Sequence, residues 1–119
     1  MTATLPPAVA DYLAAVNAFD LDGMIAAFVP DAYVNDARRE ITGTDAIRRW
    51  AEKEMVGAHV TMEVREVVDH HGETIVRSRY DGTYDKTGLP AELIMSDYFI
   101  MRDGKIASLK VIRNQPSPY

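Results

Sequence analysis

From Val60 to Arg113 the chain keeps a two-residue alternation interrupted by short turn signals, and this constrains its fold more than any other feature. Val60, Met62, Val64, Glu66 and Val68 alternate with Thr61, Glu63, Arg65, Val67 and Asp69, as a strand with one buried face requires. Asp69-His70-His71-Gly72 reads as a turn. Thr74 to Tyr84 then alternates again, with Val76, Ser78, Tyr80, Gly82 and Tyr84 on one face and Ile75, Arg77, Arg79, Asp81 and Thr83 on the other. Lys86-Thr87-Gly88 supplies the next turn, and Ala91 to Arg102 is the most apolar strand. Asp103-Gly104 is a strong hairpin signal leading into Lys105 to Arg113.

The first half has a different period. Pro6-Pro7 suits a helix start, since proline is tolerated in the first turn. Val9, Tyr12, Leu13, Val16 and Phe19 follow at helical spacing. Asp20 can cap a second short helix through Met24, Ile25 and Phe28, stopped by Pro30. Ala32 to Asp36 reads as a short strand followed by a charged loop, Ala37-Arg38-Arg39-Glu40. Thr44 caps a third helix with Ile47, Trp50, Ala51 and Met55 on its apolar face, ended by Gly57. Helices first and a meander of long antiparallel strands afterwards is an α+β layout. A curved antiparallel sheet wrapped around three N-terminal helices leaves a conical cavity, where pockets tend to form.

Composition narrows the partners. A length of 119 residues with 47% apolar side chains fits one folded domain, 1–119, with a loose tail over 114–119. The formal charge of −5 argues against a nucleic-acid or anionic-membrane surface as the main partner. There is no cysteine, so thiolate chemistry and disulfides are excluded. No signal segment or apolar membrane span is visible, and a soluble, cytoplasmic protein is expected. His59, His70 and His71 lack the carboxylate spacing of a ligand set, and nothing resembles a phosphate loop, so neither a metal nor a cofactor is expected.

Three polar residues fall where the apolar pattern predicts a pocket lining. Tyr12 lies on the buried stripe of the first helix, Asp36 ends the first strand, and Asp97 stands within Leu93-Ile94-Met95-Ser96-Asp97-Tyr98-Phe99-Ile100. A carboxylate in such a run is costly unless paired, hydrogen-bonded or protonated, and desolvation raises its pKa. Plain structural roles stand beside this: a core tyrosine, a turn aspartate and a structural pair.

The order of these segments carries a resemblance. Tyr12-Leu13-Ala14-Ala15-Val16, then Asp20-Leu21-Asp22, then Phe28-Val29-Pro30-Asp31-Ala32-Tyr33-Val34-Asn35-Asp36, resembles the opening of the NTF2-like superfamily and its SnoaL-like proteins. Thr42-Gly43-Thr44-Asp45-Ala46-Ile47-Arg48-Arg49-Trp50 is similar to its third-helix motif, and Asp97-Tyr98-Phe99 to Gly104-Lys105-Ile106 to its closing hairpin. Ketosteroid isomerase is the closest functional pattern. The resemblance implies Asp36 as base and Tyr12 and Asp97 as oxyanion donors in proton transfer next to a carbonyl. It also implies an apolar carbonyl ligand held by Trp50, Met55, Leu93, Met95 and Phe99, and a homodimer formed through the outer sheet face. The places of the family's supporting tyrosines fall on Phe28 and Ala51, and either Arg38 or Arg39 is placed to pair with Asp36.

Other chemistries share the fold. Tyr33-Val34-Asn35 resembles the water-positioning motif of limonene epoxide hydrolase, with Arg79-Tyr80-Asp81 one residue out of register and Val111 at the place of the other acid. Tyr33 and Asn35 share one face of a regular strand while Asp36 takes the opposite one, so the two readings compete for the pocket. A polyketide-cyclase-like aldol reaction would use one carboxylate such as Asp97 as acid and base. A non-catalytic module holding a small apolar ligand is the alternative from another class.

Overall fold

A computed structural model describes residues 4–113; the tail expected over 114–119 lies outside them. Helix α1 (Pro7–Asn17) starts on the Pro6-Pro7 pair and buries Val9, Tyr12, Leu13 and Val16. Helix α2 (Leu21–Ala26) is capped by Asp20, whose carboxylate accepts from the Gly23 amide at 3.0 Å. Asn17 ties α1 to the sheet: its Nδ2 donates to the Met62 carbonyl at 3.0 Å, and its Oδ1 accepts from the Met62 amide at 2.7 Å.

Strand β1 (Phe28–Asp36) runs longer than expected, and the charged loop after it is a hairpin to β2 (Arg39–Thr42). The turn is made by Ala37 and Arg38, both left-handed at φ 55° and 66°. Such a turn normally carries asparagine and glycine, which is why the sequence did not announce it. Helix α3 (Thr44–Trp50) has Gly43, not Thr44, at its N-cap; the Thr44 hydroxyl instead donates to the Pro30 carbonyl at 3.2 Å. From Ala51 to Val56 the helix widens into a π-turn, with Gly57 N bonded to Glu52 O at 2.8 Å.

The remaining strands are β3 (Thr61–His70), β4 (Glu73–Asp81), β5 (Leu93–Arg102) and β6 (Lys105–Arg113). They form one sheet with β1 and β2 in the order β2-β1-β6-β5-β4-β3, antiparallel except for the parallel β1–β6 pair. The fold is thus α+β, with three helices against a curved six-stranded sheet that does not close.

Register decides which side chains reach the interior. Tyr80 pairs with Leu93, Ser78 with Met95, Val76 with Asp97, Asp97 with Val111, and Val111 with Asp36, which puts all of them on the concave face. One slip occurs in β3. The register shifts between Val64 and Glu66, so Val67, rather than Glu66 or Val68, turns inward opposite Val76. A bulge adds one residue to one strand and exchanges its faces beyond that point. Strand β4 ends at Asp81, and residues 82–92 form an irregular loop that carries Tyr84 and Leu89. On the convex face Ile100 and Ile112 are 40% and 49% exposed. No helix among the described residues is long and apolar enough to cross a membrane.

Candidate functional site

The sheet and the third helix enclose a cavity of about 390 Å³. Its apolar walls include Trp50, Met55, Val60, Leu93, Met95 and Val111, and its polar lining comes from Asp36, Arg39, Glu54, Tyr80 and Tyr84. Trp50, Met55, Leu93 and Met95 therefore stand on the wall. Phe99 does not: it is fully buried and meets the Tyr12 ring edge-on at 5.8 Å, so it belongs to the core behind the cavity.

Asp36 ends β1 on the concave face because it follows Val34 at strand spacing. Tyr33 and Asn35 turn to the other side and bond each other, Asn35 Nδ2 donating to the Tyr33 hydroxyl at 2.9 Å. The epoxide-hydrolase-like motif is therefore directed away from Asp36, and Arg79 and Asp81 likewise flank the inward Tyr80 on the convex side. The Asp36 carboxylate is held through one oxygen. Its Oδ2 accepts from Trp50 Nε1 at 3.0 Å and from Arg39 at 3.2 Å. Arg39 is thus the arginine that pairs with Asp36, and it also grips Glu54 through two bonds of 2.6 and 2.7 Å.

Asp97 is fully buried beneath the wall, and it is not bare. The Tyr80 hydroxyl lies 2.8 Å from each of its carboxylate oxygens. Burial pushes the Asp97 carboxyl up to about 7; the Tyr80 hydrogen bond works against that and the charge of Asp36 adds to it. Tyr80 and Tyr12 are both raised well above the ordinary phenol value, first by burial and next by the charge of Asp97. The Tyr12 hydroxyl and Ser78 Oγ are buried without a hydrogen-bond partner among the described residues. Tyr12, packed edge-on against Phe28 at 5.5 Å, sits behind the cavity rather than on its surface.

The polar group that faces the cavity in front of Asp97 is therefore Tyr80, which sequence reasoning did not select. The signal was present. Tyr80 is two positions beyond Ser78 on the alternating face of β4, opposite Leu93. Glu54, on a helix pattern that reads as a solvated face, lies within the π-turn and joins the lining beside Met55. No group of three or more histidine or carboxylate side chains among the described residues is arranged to hold a metal ion.

A cone walled by a curved sheet and covered by N-terminal helices is the architecture of the NTF2-like class. The chain belongs to the SnoaL-like domain family, whose model matches residues 9–109. Among solved structures, it is similar to a protein of Sinorhizobium meliloti provisionally named a polyketide cyclase, with 28% identity over 90% of this chain and 94% of that one and a TM-score of 0.80. It is also similar to SalBIII, an epoxide hydrolase/cyclase-like enzyme with a role in pyran ring formation in salinomycin, at 24% identity over 91% and 88% of the two chains and a TM-score of 0.78. A provisionally named ketosteroid isomerase of Kribbella flavida shares 11% identity over 96% and 80% of the two chains at a TM-score of 0.76. At these identities the last two are evidence of fold alone. No curated protein matches the chain by sequence.

Proposed function

We propose that this protein catalyses proton transfer next to the carbonyl of a small apolar compound, as an isomerase or a cyclase of the aldol type would. The observation that carries the proposal is the pairing, in one apolar cavity, of a carboxylate with an open oxygen and a tyrosine backed by a buried acid. Asp36, held through Oδ2, presents Oδ1 as the base for a proton α to the carbonyl. When Asp97 is protonated its carboxyl O–H donates to the Tyr80 oxygen, and the Tyr80 hydroxyl then donates to the oxygen on which the enolate charge develops. Asp97, near half-protonation at neutral pH, supports it from behind, and Asp36 returns the proton it took to the product. Tyr12 stands near enough for the charge of Asp97 to raise its phenol, while its own hydroxyl is uncommitted among the described residues. Trp50, Met55, Leu93 and Met95 keep the reacting carbon away from bulk water, which strengthens each of these interactions.

The test needs no natural substrate. Bicyclic ketones such as 2-tetralone exchange α-protons in D2O, and proton NMR follows the exchange. The protein is expected to accelerate it, and Asp36→Asn to lower that rate by about 10²-fold or more. Binding of the ketone, read from the emission of Trp50, should change by less than about threefold. Ketone binding with no acceleration over buffer would refute catalysis and leave a ligand-binding module of the same cone.

A further inference from the structure

We propose that Glu54 is a positioning residue that keeps Arg39 from clamping Asp36, so that one oxygen of the Asp36 carboxylate stays open to the cavity. The proposal rests on the reading of Asp36 as the base. A guanidinium has two forks of N–H groups, Nη1/Nη2 and Nε/Nη2; whichever partner takes the first fixes how the second is aimed, and a two-bond grip by either on a carboxylate occupies both oxygens and favours the charged form. Arg39 has two acids within reach. Both of its terminal nitrogens go to Glu54, at 2.6 and 2.7 Å. Asp36 receives one longer contact of 3.2 Å on Oδ2, and the Arg39 Nε turns to the Asp36 backbone carbonyl, also at 3.2 Å. Asp36 Oδ1 takes no hydrogen bond among the described residues.

The backbone that places Glu54 is itself unusual. Residues Ala51–Val56 form a π-turn, a rare widening of a helix that recurs at functional sites. Glu54 and Met55 reach the cavity from this segment, and Trp50 from the last residue of α3 just before it. One helical stretch therefore supplies the indole that holds Asp36, the acid that occupies Arg39, and part of the apolar wall. The other ionisable groups that act on or are affected by Asp36 are Tyr80 on β4, Asp97 on β5 and Tyr12 on α1; none exchanges a hydrogen bond with it. Arg38, the remaining nearby cation, forms no ion pair among the described residues.

The experiment is a carbon-13 NMR titration of the Asp36 carboxyl in the full chain, for wild type, Glu54→Gln, Arg39→Gln and the double variant. With Glu54 neutral, the Arg39 fork is expected to turn onto Asp36 and lower its titration midpoint by about half a pH unit or more, a modest size because the pair is partly solvated. In the Arg39→Gln background the same Glu54→Gln change should lower the midpoint by less than half as much. A fall of equal size in both backgrounds would mean that Glu54 acts through its own charge alone and would overturn the proposal. No fall in either would overturn it too. Should Glu54→Gln fail to fold, Glu54→Asp keeps the charge but shortens the reach, and the same pair of outcomes applies. The titration reads Asp36 without any substrate, so this result stands apart from whether ketone exchange is catalysed.

Discussion

Replacing Asp97 by asparagine should make the protein more stable at alkaline pH than at acid pH relative to wild type, and the size follows from the burial of that carboxyl. Asparagine has nearly the same volume and its side-chain carbonyl still accepts from the Tyr80 hydroxyl, so the perturbation is mainly the loss of a titrating proton. In the folded chain the Asp97 carboxyl is pushed from 3.8 up to about 7. The native state therefore holds a proton that the unfolded chain has already released between those values. The stabilising contribution is complete below about pH 4 and is lost as pH rises through about 7. At 1.36 kcal/mol per pH unit, a span of roughly three units is worth about 4 kcal/mol, a large share of the ~5–15 kcal/mol that holds a typical domain together. Urea unfolding of both proteins at intervals from pH 4.5 to 8.5 measures it, with other carboxylates cancelling in the difference. The wild-type free energy minus that of Asp97→Asn should fall by about 3–4 kcal/mol across the range and level off above pH 8. A flat difference, or one that rises with pH, would show that Asp97 stays ionised on its tyrosine and would refute the half-protonated acid used above.

Two further outcomes test the scaffold. Asn17→Ala removes both hydrogen bonds to the Met62 backbone and leaves its amide and carbonyl without those partners, so the midpoint of urea unfolding should drop by the equivalent of about 2 kcal/mol. Ala37→Asn with Arg38→Gly relieves two left-handed non-glycine residues and should raise stability by about 1–2 kcal/mol, seen as a higher Tm.

The alternation of β4 and β5 made Asp97, Leu93, Met95, Ser78 and Tyr80 legible as one face, because strand period is set by the backbone itself. The same logic correctly opposed Asp36 to Tyr33 and Asn35. What stayed hidden has particular causes. Phe99 shares the inward face with Met95, but sequence parity cannot tell a wall residue from one covered by the Tyr12 ring. The Val64–Glu66 bulge shifts register with no glycine or proline to mark it. The π-turn at Ala51–Val56 reads as an ordinary helix face, in which Glu54 would be one more solvated charge. The link between Asp97 and Tyr80 depends on side chains on neighbouring strands, 17 positions apart, and no local pattern carries it.

The single parallel pairing sets the order in which this molecule can come together. Strands β3 to β6 are joined by neighbouring hairpins, and β1 and β2 make a hairpin of their own, so each block can begin from contacts close along the chain. The seam between them is β1 against β6, where Asp36 meets Val111, and closing it requires a long loop to be ordered first. Asp36 belongs to the early-synthesised block; Tyr80 and Asp97 belong to the late one. During synthesis β1 waits with an open edge until the last strand is made, a period in which it is exposed to mispairing. The two halves of the proposed proton-transfer site thus meet only when that seam closes, which makes their joint chemistry a marker of completed folding.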